Sequence, residues 1–458
     1  MRVTCNNEMR KEAGRWDVRP NITASSQSHD GCSSVRGKRP LTVAFLTPAW
    51  PLDASSNGIT TYVDGVAAGL RQQGHTVSIL SVDSKDAESD PDVYPLDQNE
   101  LSVLDRIRDG LTFRISPSAA LRGKFSRTLI KAAQRAIAES GVQLLEMEES
   151  FGLVQLIKPH LLIPIVVRLH GPHFAVGPPL GVPADAAFRQ RVRYEGIGIA
   201  KADAVSAPSR GILERTGAHY RLPLAEAAVI PNAGPVVPAE SRWSLALCDR
   251  SRLLFVGRFD RVKGGDVVID AFRRVAQRFP QVRLWFVGPT DQLPDEQGRR
   301  WTPPEYIAER APDVAGRIDW LGRLPNSALA ELRRKAFATI VASRYENFPN
   351  VVLEAMAYGC PLAATRTGGI VEIIEDGANG VLARLGDPDD LAAAIMRLLD
   401  APEFAANLGM GAAQDALRRY HPDAVARATA AFHQTVIDSW NDRAQKNSLT
   451  ARRTRRVD

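Results

Sequence analysis

The sequence predicts an α/β protein of two doubly wound parallel-sheet domains facing across a cleft. Three observations predict it. From Arg39 onward, short apolar runs alternate with stretches of helical periodicity. The alternation stops in a stretch from Asn232 to Arg250 that holds Pro235 and Pro238, and starts again at Ser251. The chain has 458 residues, too many for one ordinary core, and two domains of roughly 200 residues fit the usual domain size.

The first domain opens with the apolar run 41–48, a loop, a helical stretch over 60–74 and a second run at 75–82, which together make a βαβ unit. Further strands are expected at Val142–Met147, Ile163–Leu169, Ala204–Ala207 and Ala227–Ile230, with helices around 125–139, 149–158 and 186–201. In the second domain the strands are Ser251–Val256, Val282–Val287, Arg317–Trp320, Ala338–Ala342 and Pro361–Ala364. Its helices are Gly265–Phe279, Ser327–Lys335, Val351–Tyr358 and Leu391–Leu399. The expected organisation is a disordered leader over 1–38, a first domain over 39–235, a linker over 236–250 and a second domain over 251–420. A C-terminal helix over 421–445, free to cross back to the first domain, and a basic tail over 446–458 complete it.

Composition narrows the function classes. With 44% hydrophobic and 24% charged residues the chain can bury a core. The net charge of +6 is modest and partly due to Arg452, Arg453, Arg455 and Arg456 near the end; it suits an anionic ligand or an anionic membrane face and gives no sign of a nucleic-acid partner. Cys5, Cys32, Cys248 and Cys360 lack metal-ligand or disulfide-framework spacing, which fits a reducing cytoplasm. The first 38 residues lack the apolar core of a secretory signal, and no apolar run reaches the 18 or so residues of a membrane span. Any membrane contact is expected to be peripheral.

The stretch from Ser343 to Ile374 carries the strongest chemical signal. Glu346 and Glu354 flank seven residues across a loop-to-helix junction, just beyond the carboxyl end of a buried strand, where open α/β sheets bind ligands. The helix is expected to start near Asn347 to Asn350, with Pro349 suited to its first turn, so free backbone N–H groups of that terminus face an anionic or polyhydroxyl ligand. A second element is the run 255–265, FVGRFDRVKGG: a strand, a Gly-Arg turn and a Lys-Gly-Gly helix entry. Arg258 can grip phosphate oxygens bidentately and Lys263 adds a mobile point charge. A tight βα turn with solvated basic residues would read the same way. Neither a Walker loop nor a dinucleotide Gly-x-Gly-x-x-Gly is present. Gly58 stands where the first strand gives way to the first helix, with its amide suited to a diphosphate, or as a plain loop glycine. His170 ends an apolar strand, as a ligand contact or as a satisfied polar residue. Asp387-Pro388-Asp389 precedes a helix as loop and N-cap, not as a metal site.

Taken together these residues resemble the retaining glycosyltransferases of family 4, which have the two-domain, Rossmann-like glycosyltransferase-B (GT-B) architecture. The match runs from about Leu41 to Leu399. It is closest over Arg252–Gly380, where Gly-Arg-x4-Lys-Gly, Glu-x7-Glu and Thr367-Gly368-Gly369-Ile370-Val371-Glu372 fall in family order. The segments Ala200–Val205 and Val229–Asn232 also resemble the family's first domain and crossover. The resemblance implies a nucleoside-diphosphate sugar, UDP- or GDP-linked, in the second domain. Arg258 and Lys263 would neutralise the diphosphate and Glu354 would take the ribose hydroxyls. Glu346 and the amides of Asn347 and Phe348 would hold the transferred sugar. His170 would contact that sugar from the first domain, and Gly58 would approach the diphosphate and the acceptor. It implies no metal and no cofactor, a glycan, lipid-linked or small-molecule acceptor, and polysaccharide biosynthesis as a common setting. A sugar-nucleotide 2-epimerase, a phosphorylase on the same frame, and a catalytically inactive nucleotide- or glycan-binding partner are the alternatives.

Overall fold

The computed structural model describes residues 40–52, 57–84, 90–225, 227–289, 293–295 and 298–454. The expected leader over 1–38 lies outside them.

The first domain is a seven-stranded sheet in the order β3-β2-β1-β4-β5-β6-β7, parallel throughout. Its strands are β1 (Thr42–Trp50), β2 (Thr76–Ser84), β3 (Val93–Pro95), β4 (Leu144–Glu148), β5 (Ile165–Arg168), β6 (Ala204–Ala207) and β7 (Ala228–Val229). The main helices are α1 (Gly58–Gln72), α2 (Val103–Ile115), α3 (Pro117–Ser140), α4 (Ala186–Lys201) and α5 (Arg210–Tyr220). Helices cover both faces, which is why β1, β4, β5 and β6 read as near-continuous apolar runs rather than alternating ones.

The second domain is a six-stranded parallel sheet in the order β12-β9-β8-β13-β14-β15. Its strands are β8 (Asp249–Val256), β9 (Arg283–Val287), β12 (Ile318–Gly322), β13 (Ala336–Val341), β14 (Leu362–Thr365) and β15 (Val381–Ala383), with a small antiparallel hairpin of β10 (Leu293–Pro294) and β11 (Arg300–Trp301) at the side. Helices α6 (Gly265–Arg278), α7 (Asn326–Lys335), α8 (Asn350–Tyr358), α9 (Pro388–Asp400) and α10 (Pro402–Arg419) complete it. In each sheet the strand order reverses once, between β1 and β4 and between β8 and β13. A crevice opens at such a reversal, outside the carboxyl ends of the strands.

The last helix, α11 (Pro422–Thr454), leaves the second domain and packs on α1 of the first. Ala426, Val436 and Ile437 join Val43, Phe45, Val63 and Leu70 in one buried cluster. The Gln73 amide donates to the backbone and side-chain oxygens of Asp423 at 2.9 and 2.7 Å.

Several expectations need correcting. The helix expected over 149–158 is a 3-10 turn (Ser150–Gly152), a single helical turn (Val154–Ile157) and another 3-10 turn (Lys158–His160). Phe151 adopts a left-handed φ of 60°, and Pro159 has no N–H to continue a helix. The linker over 236–250 gives up its end to β8, which starts at Asp249. The basic tail over 446–458 carries no expected secondary structure, and its residues up to Thr454 continue the last helix. Strands β3, β10, β11 and β15 and helices α2 and α10 were not expected at all.

The two domains meet through polar contacts and through Val262 and Tyr345, which are buried in the first domain's apolar cluster. The Glu372 carboxylate accepts from the Arg210 and Gly211 amides, both at 2.8 Å, at the N-terminus of α5. The side chain of Asn232, in the crossover, donates to the Phe348 carbonyl at 3.4 Å, and the Gly234 amide to the Tyr420 carbonyl at 2.8 Å.

Candidate active site

The two sheets present their carboxyl edges to one cleft of about 760 Å³, a size that suits a ligand of several hundred daltons. Each wall includes the loops that flank a reversal of strand order, and Gly288, Pro289, Arg323 and Leu324, after β9 and β12, also line the second-domain side. On that side the flanking loops are those after β8 and β13, which carry Arg258, Lys263, Glu346, Asn347 and Phe348. On the first-domain side the loops after β1, β4 and β5 bring Gly58, Glu149 and His170.

The loop after β8 closes tightly on itself. Gly264 has φ +71°, and a Cβ there would lie 2.0 Å from the Ala342 carbonyl oxygen, so only glycine lets the α6 N-terminus approach β13 this closely. Asp260 organises the basic residues around that turn. One of its oxygens accepts the Lys263 amide at 2.7 Å and the other meets Arg258 Nη2 at 2.8 Å. Lys263 Nζ reaches across to Glu346 Oε1 at 2.6 Å, which also accepts from Ser343 Oγ at 2.7 Å. Both cations therefore lie against carboxylates.

Asn347 links the two walls. Its amide nitrogen donates to the Leu169 and His170 carbonyls at 3.1 and 2.9 Å, and its oxygen accepts from Ser209 Oγ at 3.2 Å. Opposite, the buried Glu149 carboxylate accepts the His170 and Gly171 amides at 2.9 and 2.7 Å. His170 is thus held by its backbone from both sides. Burial, then the Arg168 guanidinium, push its imidazole down to about 3 against the pull of Glu146, so the ring is neutral at physiological pH. Gly58 begins α1, and Asn57 turns its side chain back to cap that helix, accepting the Ile59 amide at 2.8 Å.

Glu354 is placed differently from the other expected site residues. It lies one turn along α8 from Asn350 and Val351, on the face they present to the cleft. Its carboxylate is paired with the buried Arg333, and Glu354 is not among the residues lining the cleft. Burial raises its carboxyl, with Arg333 opposing. The Asp387 side chain caps α9 through the Asp389 and Asp390 amides.

Beyond the Val229–Asn232 segment already singled out, sequence reasoning missed Glu149, Asp260 and Arg333. Asp260 alone carried a signal, an acid between two bases in a glycine-rich turn. The others acquire their roles only from chain-distant neighbours.

A cleft between the carboxyl edges of two parallel α/β domains, tied by a C-terminal helix that crosses back, defines a GT-B fold. Solved structures agree: sucrose-phosphate synthase from Thermosynechococcus elongatus superposes with TM-score 0.64 at 20% identity, over 87% of this chain and all of that one. HepE from Anabaena, in complex with UDP and glucose, superposes with TM-score 0.62 at 17% identity over 86% of this chain and all of that one. Residues 56–233 match the family model described as Glycosyltransferase Family 4, and residues 250–401 the one described as Glycosyl transferases group 1. The chain belongs to this glycosyltransferase family. Similar curated proteins include D-inositol 3-phosphate glycosyltransferases from Acidothermus cellulolyticus (37% identical, over 40% of this chain and 41% of the relative) and Nocardiopsis dassonvillei (31%, over 49% and 54%). The chain thus spans about half the length of these relatives.

The buried acids of the first-domain wall give a pH dependence with a definite sign. Burial, then Glu195 and Glu148, push Glu149 up to about 8, and burial pushes Glu195 up to about 7. Between about pH 4.5 and 8 the folded state therefore holds protons that the unfolded chain has released, and stability falls as pH rises. Urea titrations should show this decline, at most about 1.4 kcal/mol per pH unit for each displaced proton. Glu149→Gln should flatten it; an unchanged slope would exclude Glu149 as a source.

Proposed function

We propose that this protein transfers a sugar, with retention of anomeric configuration, from a nucleoside-diphosphate sugar to a hydroxyl-bearing acceptor in this cleft. The observation that carries the reading is the placement of Arg258, Lys263 and Glu346 on one wall, across from the neutral His170 on the other. Glycosyl transfer builds negative charge on the departing diphosphate and positive charge on the sugar ring. Fixed cations at the first and acceptors at the second lower the barrier. Arg258 and Lys263 meet the diphosphate without a metal, Lys263 exchanging its Glu346 partner for phosphate oxygens. Glu346, freed of that ion pair, holds the sugar hydroxyls with the Asn347 and Phe348 amides, and His170 contacts the sugar from above. Glu354 takes the ribose hydroxyls from one helical turn beyond Val351. Gly58 offers its amide at the N-terminus of α1, where the acceptor and diphosphate meet. The HepE complex with UDP makes UDP the first nucleotide to try. The curated relatives make a phosphorylated cyclitol one acceptor to test beside glycans.

Transfer assayed in EDTA, with product configuration read by proton NMR, tests the reading. Glu346→Ala should reduce transfer at least a hundredfold, in the range of single-contact losses in transition-state stabilisation, while nucleotide binding stays nearly intact. Equal loss of both, loss of neither, or an inverted product would refute the roles assigned.

A peripheral seat on the membrane is part of the same proposal. No described helix is long and apolar enough to cross a membrane. On α2 and at the start of α3, however, Leu104, Leu111, Phe113 and Leu121 are 78, 58, 52 and 61% exposed, beside the exposed Arg108 and Arg114. Exposed apolar side chains mixed with arginines suit an anionic lipid surface. The protein should sediment with vesicles rich in anionic lipid at physiological salt, and Leu104→Ser/Leu111→Ser/Phe113→Ser should abolish it. Undiminished sedimentation of that variant would remove the face from the proposal.

A further inference from the structure

A buried polar chain runs from the C-terminal helix to the wall of the cleft. His433, fully buried on α11, hydrogen-bonds through Nε2 to Glu146 Oε2 at 2.8 Å. The other oxygen of Glu146, on β4, accepts from the Tyr62 hydroxyl of α1 at 2.6 Å. The Tyr62 ring meets the His170 ring edge-on, with centroids 5.1 Å apart. The guanidinium of buried Arg168 lies 3.9 Å from the Tyr62 ring centroid and donates from Nη2 to the Ile230 carbonyl and to Asn232 Oδ1, both at 2.9 Å. Asn232 passes the contact to the Phe348 carbonyl of the second domain. Tyr62 is therefore fixed at its hydroxyl by a carboxylate shared with α11 and on its ring by an arginine tied to the crossover.

We infer that His433 is a positioning residue for the cleft: through Glu146 and Tyr62 it sets the orientation of the His170 ring and couples that ring to the docking of the C-terminal helix. The inference rests on the transfer reading above for its catalytic consequence, though not for its structural one.

The physical case has three parts. First, Glu146 is ionised. Burial alone would push its carboxyl up, but His433, Arg168 and Tyr62 together outweigh that and hold it below its ordinary value. A buried carboxylate binds its donors strongly, so the Tyr62 hydroxyl has one place to be. Second, His433 is the donor that α11 supplies. Without it the carboxylate loses one of its two hydrogen-bond donors, and Tyr62 is held by a less constrained partner. Third, α11 and α1 cannot slide past each other freely. At Gly69 they are so close that a Cβ would come within 2.7 Å of the Ala426 Cβ, and Asp423 holds Gln73 one turn further along. Gly58 and Tyr62 belong to the other end of that same α1, so where α11 docks decides where both stand relative to the sugar. Displacements of about an ångström at a reacting centre are enough to change rates by orders of magnitude.

The test combines kinetics with histidine-labelled NMR. The chain has 8 histidines, and the His170 ring signals can be assigned by their loss in His170→Asn. In His433→Ala the His170 ring signals should move or broaden. kcat should fall roughly 10- to 100-fold, and the KM for sugar nucleotide should stay within about twofold of the wild-type value. His433→Gln, whose amide can donate to the same carboxylate, should recover most of both readouts. Tyr62→Phe, which keeps the ring and removes the hydroxyl, should reproduce the His433→Ala pattern and serves if that variant fails to fold. Unchanged His170 signals in these variants would overturn the inference. So would kcat and nucleotide affinity falling together, which is the mark of general loosening. A wild-type protein that binds nucleotide but transfers no sugar would instead refute the transfer reading, while the His170 signals would still decide whether the coupling exists.

Discussion

The side-chain amide of Asn347 is the contact on which the cleft depends. A carboxamide has both donors and an acceptor, and all are used across the domain boundary: two carbonyls of the His170 loop on one side, the Ser209 hydroxyl on the other. That single group fixes how far the carboxyl edge of one sheet stands from the other. Because Glu346 precedes it and Phe348 follows, the distance it sets is also the width of the proposed sugar site. The Glu372 cap on α5 and the Asn232 bond to Phe348 support the same closure from the flanks.

The electrostatics of the cleft are those of a site at rest. Lys263 lies on Glu346, Arg258 on Asp260 and Arg333 on Glu354, so each of these three basic residues has a carboxylate partner. In the proposed reaction a diphosphate would offer these cations more charge than a single carboxylate does, and the exchange of partners would release Glu346 for neutral hydroxyl donors. The first-domain wall has the opposite character. His170 is kept neutral by burial, and Glu149 is pushed toward its protonated form, so this side presents hydrogen bonds more than charge. The asymmetry suits a reaction that leaves its negative charge on one partner.

The sheets were legible because buried parallel strands leave unbroken apolar runs: β13, buried along its whole length, was visible as Ala338–Ala342. The turn Lys263-Gly264-Gly265 was legible for a related reason, since the Gly264 conformation admits no other residue. What escaped had weak local signals. Strand β3 is three residues long, and α2 carries apolar side chains on an exposed face, where periodicity does not mark a core. Within the site, Arg258, Lys263, Glu346, Asn347, Phe348, Gly58 and His170 gather in one cleft, whereas the Arg333–Glu354 pair and the Glu149 cradle join segments far apart in sequence. A carboxylate's partner is decided by the fold, and no spacing rule announces it.

A diphosphate site made by Arg258 and Lys263 is the central claim, and a thermal-shift panel with UDP, GDP, ADP and their sugar conjugates tests it most directly, because a ligand that binds the folded state raises its melting temperature by mass action. One nucleotide should raise the Tm of the wild-type protein, and Lys263→Ala should largely abolish that rise. No rise with any nucleotide, or a rise that survives Lys263→Ala undiminished, would contradict a nucleoside-diphosphate site in this cleft.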